Sequence, residues 1–458
     1  MLQRKVTAKL LNWKNSESRK ALFLTGARQV GKSYVVRDFA KQHFDVNVEI
    51  NLYENRQAAQ ALEEATSAQD FIQRITLFAN QPLVPHHTLI FIDEVQERPD
   101  IMTMVKFLVE DGRFDYVFSG SMLGTELKGV RSYPVGFVTE QTMHPLDFEE
   151  FCWAIGVQES TLDTIRESCE NGSPVPDYIH EAMMANFRTY LVVGGMPETV
   201  QCFLNTKGDL AAVRELQQDL NRQYRHDISQ YAGNRALQVQ EIFDQLPTQL
   251  VEGNGRFNVS SLAAGARYDR SQKDFIWLVD AGVALKTDCV SEAKHPLRHT
   301  AQSPKFKLYQ SDTGMLMARY PAATARAAYL DDKEPNLGAI YENVVAQELT
   351  AQDVPLHYFM VKKQGEADFI ADTSEGKVMP FEVKSGRNFR AHSSIDALLS
   401  SSDSRIPRGV VLSRSNVRSE GKVTYLPIYA TWRLSSVCNL ATITDHDEPD
   451  FTLTVRPV

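Results

Sequence analysis

The sequence predicts an α/β fold in several units: a parallel sheet at the front of the chain, a helical middle and a smaller α/β unit at the back. Three stretches carry that prediction. ALFLTGARQVGKSYVVRDFA (residues 21–40) passes from an apolar strand through a glycine loop into a helical pattern. TLIFIDEVQ (88–96) is a second continuous apolar run, of the kind a parallel sheet buries on both faces. GEADFIADTSEGKVMPFEVKSG (365–386) reads as two facing strands about the turn TSEGK. The 458 residues exceed one ordinary core, and at roughly 150 residues per domain three domains are expected.

Composition narrows the function classes. With 43% hydrophobic and 23% charged residues the chain has the make-up of a folded protein, and no apolar run nears the ~18 residues of a membrane helix. The opening MLQRKVTAKLLNWKNSESRK is basic but lacks the roughly 7–15-residue apolar core of an export signal, so a cytoplasmic location without membrane contact is expected. Cys152, Cys169, Cys202, Cys289 and Cys438 are scattered and form no CxxC, which points to reduced packing residues rather than disulfides or zinc. The net charge of −9 is opposite to that of a protein that coats nucleic acid, so any contact with DNA must be local. The basic clusters RQYRHD (222–227), RYDRSQK (267–273) and SGRNFR (385–390) serve equally well as solvated surface.

The glycine loop fits GxxxxGK[ST] from Gly26 to Ser33, with the strand before it and the helix after it that the motif requires. Gly26, Ala27, Arg28, Gln29, Val30 and Gly31 supply backbone that folds around phosphates, and the helix start through Tyr34 adds aligned N–H groups. Lys32 neutralises β- and γ-phosphate charge, and Ser33 suits Mg²⁺. Asp93 and Glu94 would emerge at the carboxyl edge of the sheet, Asp93 for the magnesium shell and Glu94 to orient and deprotonate an attacking water. A third strand, DYVFSGS (115–121), ends in Ser119 and Ser121, placed to sense a γ-phosphate. ATP with Mg²⁺ is the cofactor these residues imply.

GARQVGKS, FIDEVQ and VFSGS, followed by HPLDFEEF (144–151) and YLVVGGMPETV (190–200), resemble a bacterial and archaeal branch of the AAA-type ATPases. The resemblance implies Glu94 as the catalytic glutamate, Ser119 or Ser121 as the first sensor, and GGMP (194–197) in a helical lid. It also implies a homo-oligomer, in a ring, with Arg131 of KGVRSYPVG or Arg28 as the arginine finger that reaches a neighbour's nucleotide; a solvated loop arginine is the other reading of Arg131.

FNVSSLAAGARYDRSQKDFIWLVDAGVALKTD (257–288) reads as a short helix, a turn, a second helix with Phe275, Leu278 and Val279 on one face, a stop at Gly282 and then a strand. This order resembles a winged helix, which serves either DNA reading or protein docking; Asp269 and Asp274 beside the basic residues leave both open.

In the hairpin, side chains alternate along each strand, so Glu382 and Lys384 share one face, Phe381 and Val383 take the other, and Asp368 on the partner strand meets Glu382. Two carboxylates at one point repel unless a cation joins them, which makes a Mg²⁺ or Mn²⁺ site with a lysine beside it to hold hydroxide or phosphate. The other reading is a charged amphipathic hairpin at a sheet edge. An Asp followed by Glu-x-Lys on the next strand resembles the core motif of the restriction-endonuclease fold, and GAIYENVVAQELT (338–350) resembles that fold's first helix. The resemblance implies Glu342, Asp368 and Glu382 as metal ligands and Lys384 as the group that assists the water, with Glu366 a further carboxylate of no assigned part. FKLYQSDTGMLMARY (306–320) also resembles the family that joins such an ATPase to such a domain.

With these resemblances the chain divides into an AAA-type P-loop ATPase core (1–155), a helical lid or connector (156–240), a winged-helix-like module (241–300), a restriction-endonuclease-like domain (301–435) and a tail (436–458). The expected function is ATP binding and hydrolysis linked to action on DNA, with ATP, DNA and other copies of the chain as partners. A nucleotide-gated switch that binds a protein or nucleic acid without cleavage is the alternative.

Overall fold

Parallel strands need crossover connections on the sheet faces, and the sequence supplies helices between its apolar runs. The structure is a computed structural model that describes residues 2–120, 133–252, 255–262, 267–332, 337–361, 365–386, 393–400 and 406–443. The architecture is mixed α/β. The chain forms two compact units, one of residues 1–146 with 275–283 and one of 147–274 with 284–458. No described helix is long and apolar enough to cross a membrane. All five cysteines are free, and Cys152, Cys169, Cys289 and Cys438 are buried.

The first unit is built on five strands: β1 (Ala21–Thr25), β2 (Val46–Asn51), β3 (Thr88–Asp93), β4 (Asp115–Ser119) and β5 (Val138–Thr142). Their order is β2-β3-β4-β1-β5 and every pairing is parallel. All six residues of β3 are buried, as the unbroken run TLIFID requires of an interior strand. Phe23, Ile50, Ile90, Ile92 and Phe118 form the core with the helices Arg56–Glu63 and Ala68–Thr76, whose starts are capped by the side chains of Asn55 and Ser67. In register, Asn51 lies opposite Asp93 and Leu24 opposite Ser119, so the carboxyl ends of β1, β2, β3 and β4 finish at one edge. That edge is where a doubly wound sheet holds its ligand.

The second unit carries β6 (Ala284–Val290), β7 (Ala301–Gln310), β8 (His357–Val361), β9 (Gly365–Asp372), β10 (Val378–Val383), β11 (Gly409–Ser413), β12 (Arg418–Glu420) and β13 (Val423–Pro427). They make one mixed sheet in the order β12-β13-β11-β10-β9-β8-β6-β7. The hairpin β9–β10 therefore lies inside the sheet, with β8 on one side and β11 on the other, and the edge reading of 365–386 is incorrect. β11 pairs with β10 in parallel, a long-range neighbour that the local alternation of the hairpin does not announce. The strands that follow the helix Tyr268–Asp280 are also part of this sheet, since β6 pairs with both β7 and β8.

Helices form the rest of this unit. HPLDFEEF contains a capping box: Asp147 accepts from the Glu150 N–H at 2.9 Å while the Glu150 carboxylate accepts from the Asp147 N–H at 3.3 Å. GGMP and SDTGM prove to be two sides of one joint. Gly194 ends the helix Asp177–Val193 at φ +73°, and a Cβ there would lie 2.3 Å from Asp312 Oδ1 and 2.8 Å from Gly314 Cα. Buried Asp312 accepts from the N–H groups of Gly195 (2.6 Å) and Met315 (2.8 Å), and burial pushes its carboxyl up to about 6. The helix Gly338–Ala351 is held on its inner side by polar pairs. Asn343 exchanges two hydrogen bonds with the Gln310 backbone, Gln347 accepts from the Thr313 N–H at 2.8 Å, and Glu348 accepts from the Phe148 N–H at 2.9 Å. These contacts fix the rotation of the helix and with it the direction of Glu342.

Gly194→Ala combines a glycine-only conformation with a collision, so it is expected to cost about 2–4 kcal/mol. Gly172, at φ +65° with open space around it, should lose only about 1–2 kcal/mol in Gly172→Ala. Thermal unfolding of the two variants checks the contrast; equal midpoints would remove the joint from the fold's stabilising contacts.

Candidate functional site

The phosphate loop forms because two of its glycines occupy places closed to other residues. Gly26 has φ +135°, and a Cβ on it would stand 2.1 Å from the Met143 carbonyl oxygen; Gly31, at φ +94°, opens the helix Lys32–His43. Lys32 is buried, and its ammonium donates to the carbonyls of Gly26 (2.9 Å) and Ala27 (2.8 Å). Burial lowers its pKa to about 8, against the opposing pull of the Glu94 and Asp93 carboxylates.

Asp93, 2% exposed, gathers donors from four elements. Ser33 Oγ donates to its Oδ2 at 2.6 Å and Asn51 Nδ2 to the same oxygen at 3.4 Å, while Oδ1 accepts from the Glu94 N–H at 3.0 Å and from the Ser119 hydroxyl. Glu94 adopts a left-handed backbone, φ 58° and ψ 46°, and the Gln96 side-chain amide donates to its Oε2. Of the residues expected from sequence, Gly26, Ala27, Arg28, Gln29, Val30, Gly31, Lys32, Ser33 and Tyr34 make the loop and helix start, while Asp93, Glu94 and Ser119 end the neighbouring strands. Ser121 and Arg131 lie outside the described residues.

Sequence reasoning missed three supports. Asn51 ends β2 beside Asp93, Gln96 holds Glu94, and Arg4 braces the loop, donating to the Val30 carbonyl at 2.9 Å and the His144 carbonyl at 2.6 Å. Gln96 was within reach of a reading that asked what flanks the acidic pair, whereas Asn51 meets Asp93 only through the pairing of β2 with β3. Arg4 carries no local signal. A further neighbour comes from far along the chain: a Cβ on Gly282 would meet the Ala27 nitrogen at 2.9 Å.

In the second unit, Glu342, Glu366, Asp368, Glu382, Val383, Lys384 and Lys307 line a cavity of about 260 Å³. Extending the β9–β10 register places Asp368 across from Glu382, as the alternation predicts, and Asp368 Oδ2 accepts from the Val383 N–H at 2.8 Å. Lys384 pairs with Glu382 Oε1 at 2.5 Å, and Glu382 Oε2, buried, has no hydrogen-bond partner. Lys307 was not foreseen. Its ammonium, 1% exposed, donates to Glu342 Oε2 at 2.9 Å and stands 4.0 Å from Asp368 Oδ1, while the Tyr309 hydroxyl donates to the same Glu342 oxygen at 2.8 Å. The signal available was the spacing of Lys307 and Tyr309, two residues apart and so on one face of β7. Burial, then the Glu342 charge, pushes Asp368 up to about 7, and burial raises Glu366. Among the described residues no three His, Cys, Asp or Glu side chains stand ready to hold a metal ion. The three expected ligands share the cavity with two ammonium groups.

The parallel sheet and the phosphate loop at its carboxyl edge define a P-loop ATPase class. Residues 18–152 match the family described as AAA domain, which supports an AAA-type P-loop ATPase domain in this part of the chain. Residues 184–325 and 337–431 match two families described only as domains of unknown function (DUF8612 and DUF4143). No curated protein matches the sequence. Among solved structures the chain is similar to a Walker-type ATPase of Pyrococcus abyssi, at 15% identity over 70% of this chain and 96% of that one, with a TM-score of 0.41. It is also similar to the ORC1 protein of Aeropyrum pernix in complex with DNA, at 12% identity over 72% and 91% of the chains and a TM-score of 0.29. A third likeness is to Cdc6p of Pyrobaculum aerophilum, at 10% identity over 75% and 97%, with a TM-score of 0.26.

Bound phosphates supply the counter-charge that the loop carbonyls give Lys32 only in part, so nucleotide binding should restore its proton. With a free-protein pKa of about 8, uptake on binding MgATP is expected near roughly three-quarters of a proton at pH 8.5 and below about a tenth at pH 7. Affinity should weaken as pH rises above 8. Calorimetry in buffers of different ionisation heat reads this directly, and no uptake at pH 8.5 contradicts it.

Proposed function

We propose that the chain hydrolyses ATP at the Lys32–Asp93 site and uses the nucleotide cycle to control a C-terminal, restriction-endonuclease-like domain that acts on DNA. The observation that carries the reading is the chain of hydrogen bonds Ser33–Asp93–Ser119 beside the buried ammonium of Lys32. ATP with Mg²⁺ supplies the anhydride bond and the charge that this site answers. Lys32 would turn from the loop carbonyls to the phosphates, the Ser33 hydroxyl and Asp93 would hold the metal, and Ser119 would report the γ-phosphate position. Glu94, oriented by Gln96, accepts the proton of the attacking water. Arg131 or Arg28 of a neighbouring copy completes the site in a homo-oligomeric ring.

For the rest of the chain, residues 241–300 are read as a winged-helix-like module, supported by the helices Ala236–Val251 and Tyr268–Asp280 ahead of the β6–β7 pair, and 301–435 as the nuclease-like domain. The cavity supports the second reading through the meeting of Glu342, Asp368 and Glu382 beside Lys384. Glu382 Oε2, without a partner, suits a cation, so these three carboxylates would hold Mg²⁺ or Mn²⁺ and Lys384 would hold the attacking water. One observation favours a nucleotide-gated switch without cleavage: both Glu342 and Glu382 already have lysine partners.

Lys32→Ala should weaken ATP binding by well over tenfold, and Glu94→Gln should keep binding while lowering turnover by about 10²–10⁴-fold. Normal turnover in Glu94→Gln would move the base elsewhere. Linear, supercoiled and branched DNA incubated with Mg²⁺ or Mn²⁺, with and without ATP, should be cut by the wild type and left intact by Glu382→Ala. Hydrolysis of ATP without any cutting would put the switch in place of the nuclease.

A further inference from the structure

The C-terminal cavity holds more charge than a nuclease-like reading uses, and the extra groups are Glu366 and a lysine. Four carboxylates, from Glu342, Glu366, Asp368 and Glu382, face two ammonium groups, from Lys307 and Lys384. Lys384 is taken up by Glu382 Oε1 at 2.5 Å. Lys307 reaches the cavity from β7, passes the ring of Tyr358 with its nitrogen 5.4 Å from the ring centre, and ends between Glu342 and Asp368. We infer that Lys307 is a built-in competitor for the divalent cation: its ammonium takes the place between Glu342 and Asp368, and a metal ion enters only as Lys307 leaves.

This rests on the reading of Glu342, Asp368 and Glu382 as a cation site and adds its regulation. Two features of the geometry separate a competitor from an ordinary buried ion pair. Glu342 Oε2 accepts from both Lys307 and the Tyr309 hydroxyl, at 2.9 and 2.8 Å, so that oxygen has its lone pairs engaged. Glu382 Oε2 is the opposite case, a carboxylate oxygen on a side chain nine-tenths buried with no donor at all. A buried carboxylate oxygen is left without a donor at a cost, and in a cavity lined by three other carboxylates the group that answers it is a cation. Lys307 satisfies one end of the cluster and leaves the other open. With all six side chains ionised, two negative charges remain, which one divalent ion would balance. A metal ion bound to Asp368 and Glu382 beside an ammonium 4.0 Å from Asp368 meets like charge at close range, so the two cations exclude each other.

The test measures Mn²⁺ binding to the full chain without nucleotide, in an Asp93→Asn background so that the phosphate site does not contribute. Lys307→Met, which keeps the chain length without the charge, is expected to bind Mn²⁺ at least tenfold more tightly than its parent, and adding Glu382→Gln should abolish the gain. Lys384→Met, which removes an equal charge from the same cavity lining, should gain several-fold less. Tyr309→Phe retains the ring and frees one lone pair of Glu342; it should tighten Mn²⁺ about threefold and serves if Lys307→Met does not fold. Equal and measurable affinity in parent, Lys307→Met and Tyr309→Phe overturns the competition and leaves the cation site standing. Equal gains in Lys307→Met and Lys384→Met overturn it as well, by reducing the effect to net charge. No Mn²⁺ binding by any of the proteins overturns the cation site together with its competitor.

Discussion

One carboxylate ties the nucleotide-binding edge together. Asp93 receives the hydroxyl of Ser33 from the helix after the phosphate loop, the amide of Asn51 from the end of β2, the hydroxyl of Ser119 from the end of β4, and the N–H of Glu94 from its own strand. A buried anion is tolerable only when its lone pairs are engaged, and here the engagement requires three parallel strands and a helix start to arrive in register. The sheet order β2-β3-β4-β1-β5 is what makes that arrival possible, because β3 sits between β2 and β4. The left-handed turn at Glu94 follows from the same demand: Asp93 Oδ1 accepts the Glu94 N–H, which turns the next side chain toward Gln96.

The two units handle buried charge in opposite ways. Lys32 and Lys307 are both removed from water, yet their affinities for a proton move apart. Burial dominates at Lys32, whose ammonium is held by two uncharged carbonyls, and its pKa falls. Burial acts on Lys307 in the same direction, but the adjoining charges of Glu342 and Asp368 outweigh it and the pKa rises. The first lysine is therefore an ammonium in search of anions, and the second is an ammonium already supplied with them. That difference is what a phosphate-binding site and a partly neutralised acidic cavity ought to show.

Legibility in the sequence followed the range of the interaction. The phosphate loop was readable because its geometry is local: Gly26, Gly31, Lys32 and Ser33 sit within one turn and one helix start. The meeting of Asp368 and Glu382 was readable because a hairpin with a short turn fixes its own register. Lys307 and Tyr309 were not, since three described helices and a strand lie between β7 and β9 in the chain, and nothing in FKLYQ states which carboxylates it will face. The interior position of the hairpin depends on β11, more than twenty residues later, and the Gly194–Asp312 joint spans two segments more than a hundred residues apart in the chain. Glycine alone told where the chain turns, and only the structure tells what it turns around.

The segment Phe275–Val283 belongs to the first unit, with Gly282 against Ala27 of the phosphate loop, although residues 147–274 of the second unit, 128 in all, precede it. A ribosome delivers the chain in order. The sheet from β1 to β5 emerges first and must wait, at about 5–20 residues per second, on the order of ten seconds before the piece that packs beside the loop is made. During that interval the Gly282-facing side of the loop is bare, and the synthesis of the ATPase unit is completed only after most of the helices of its neighbour exist.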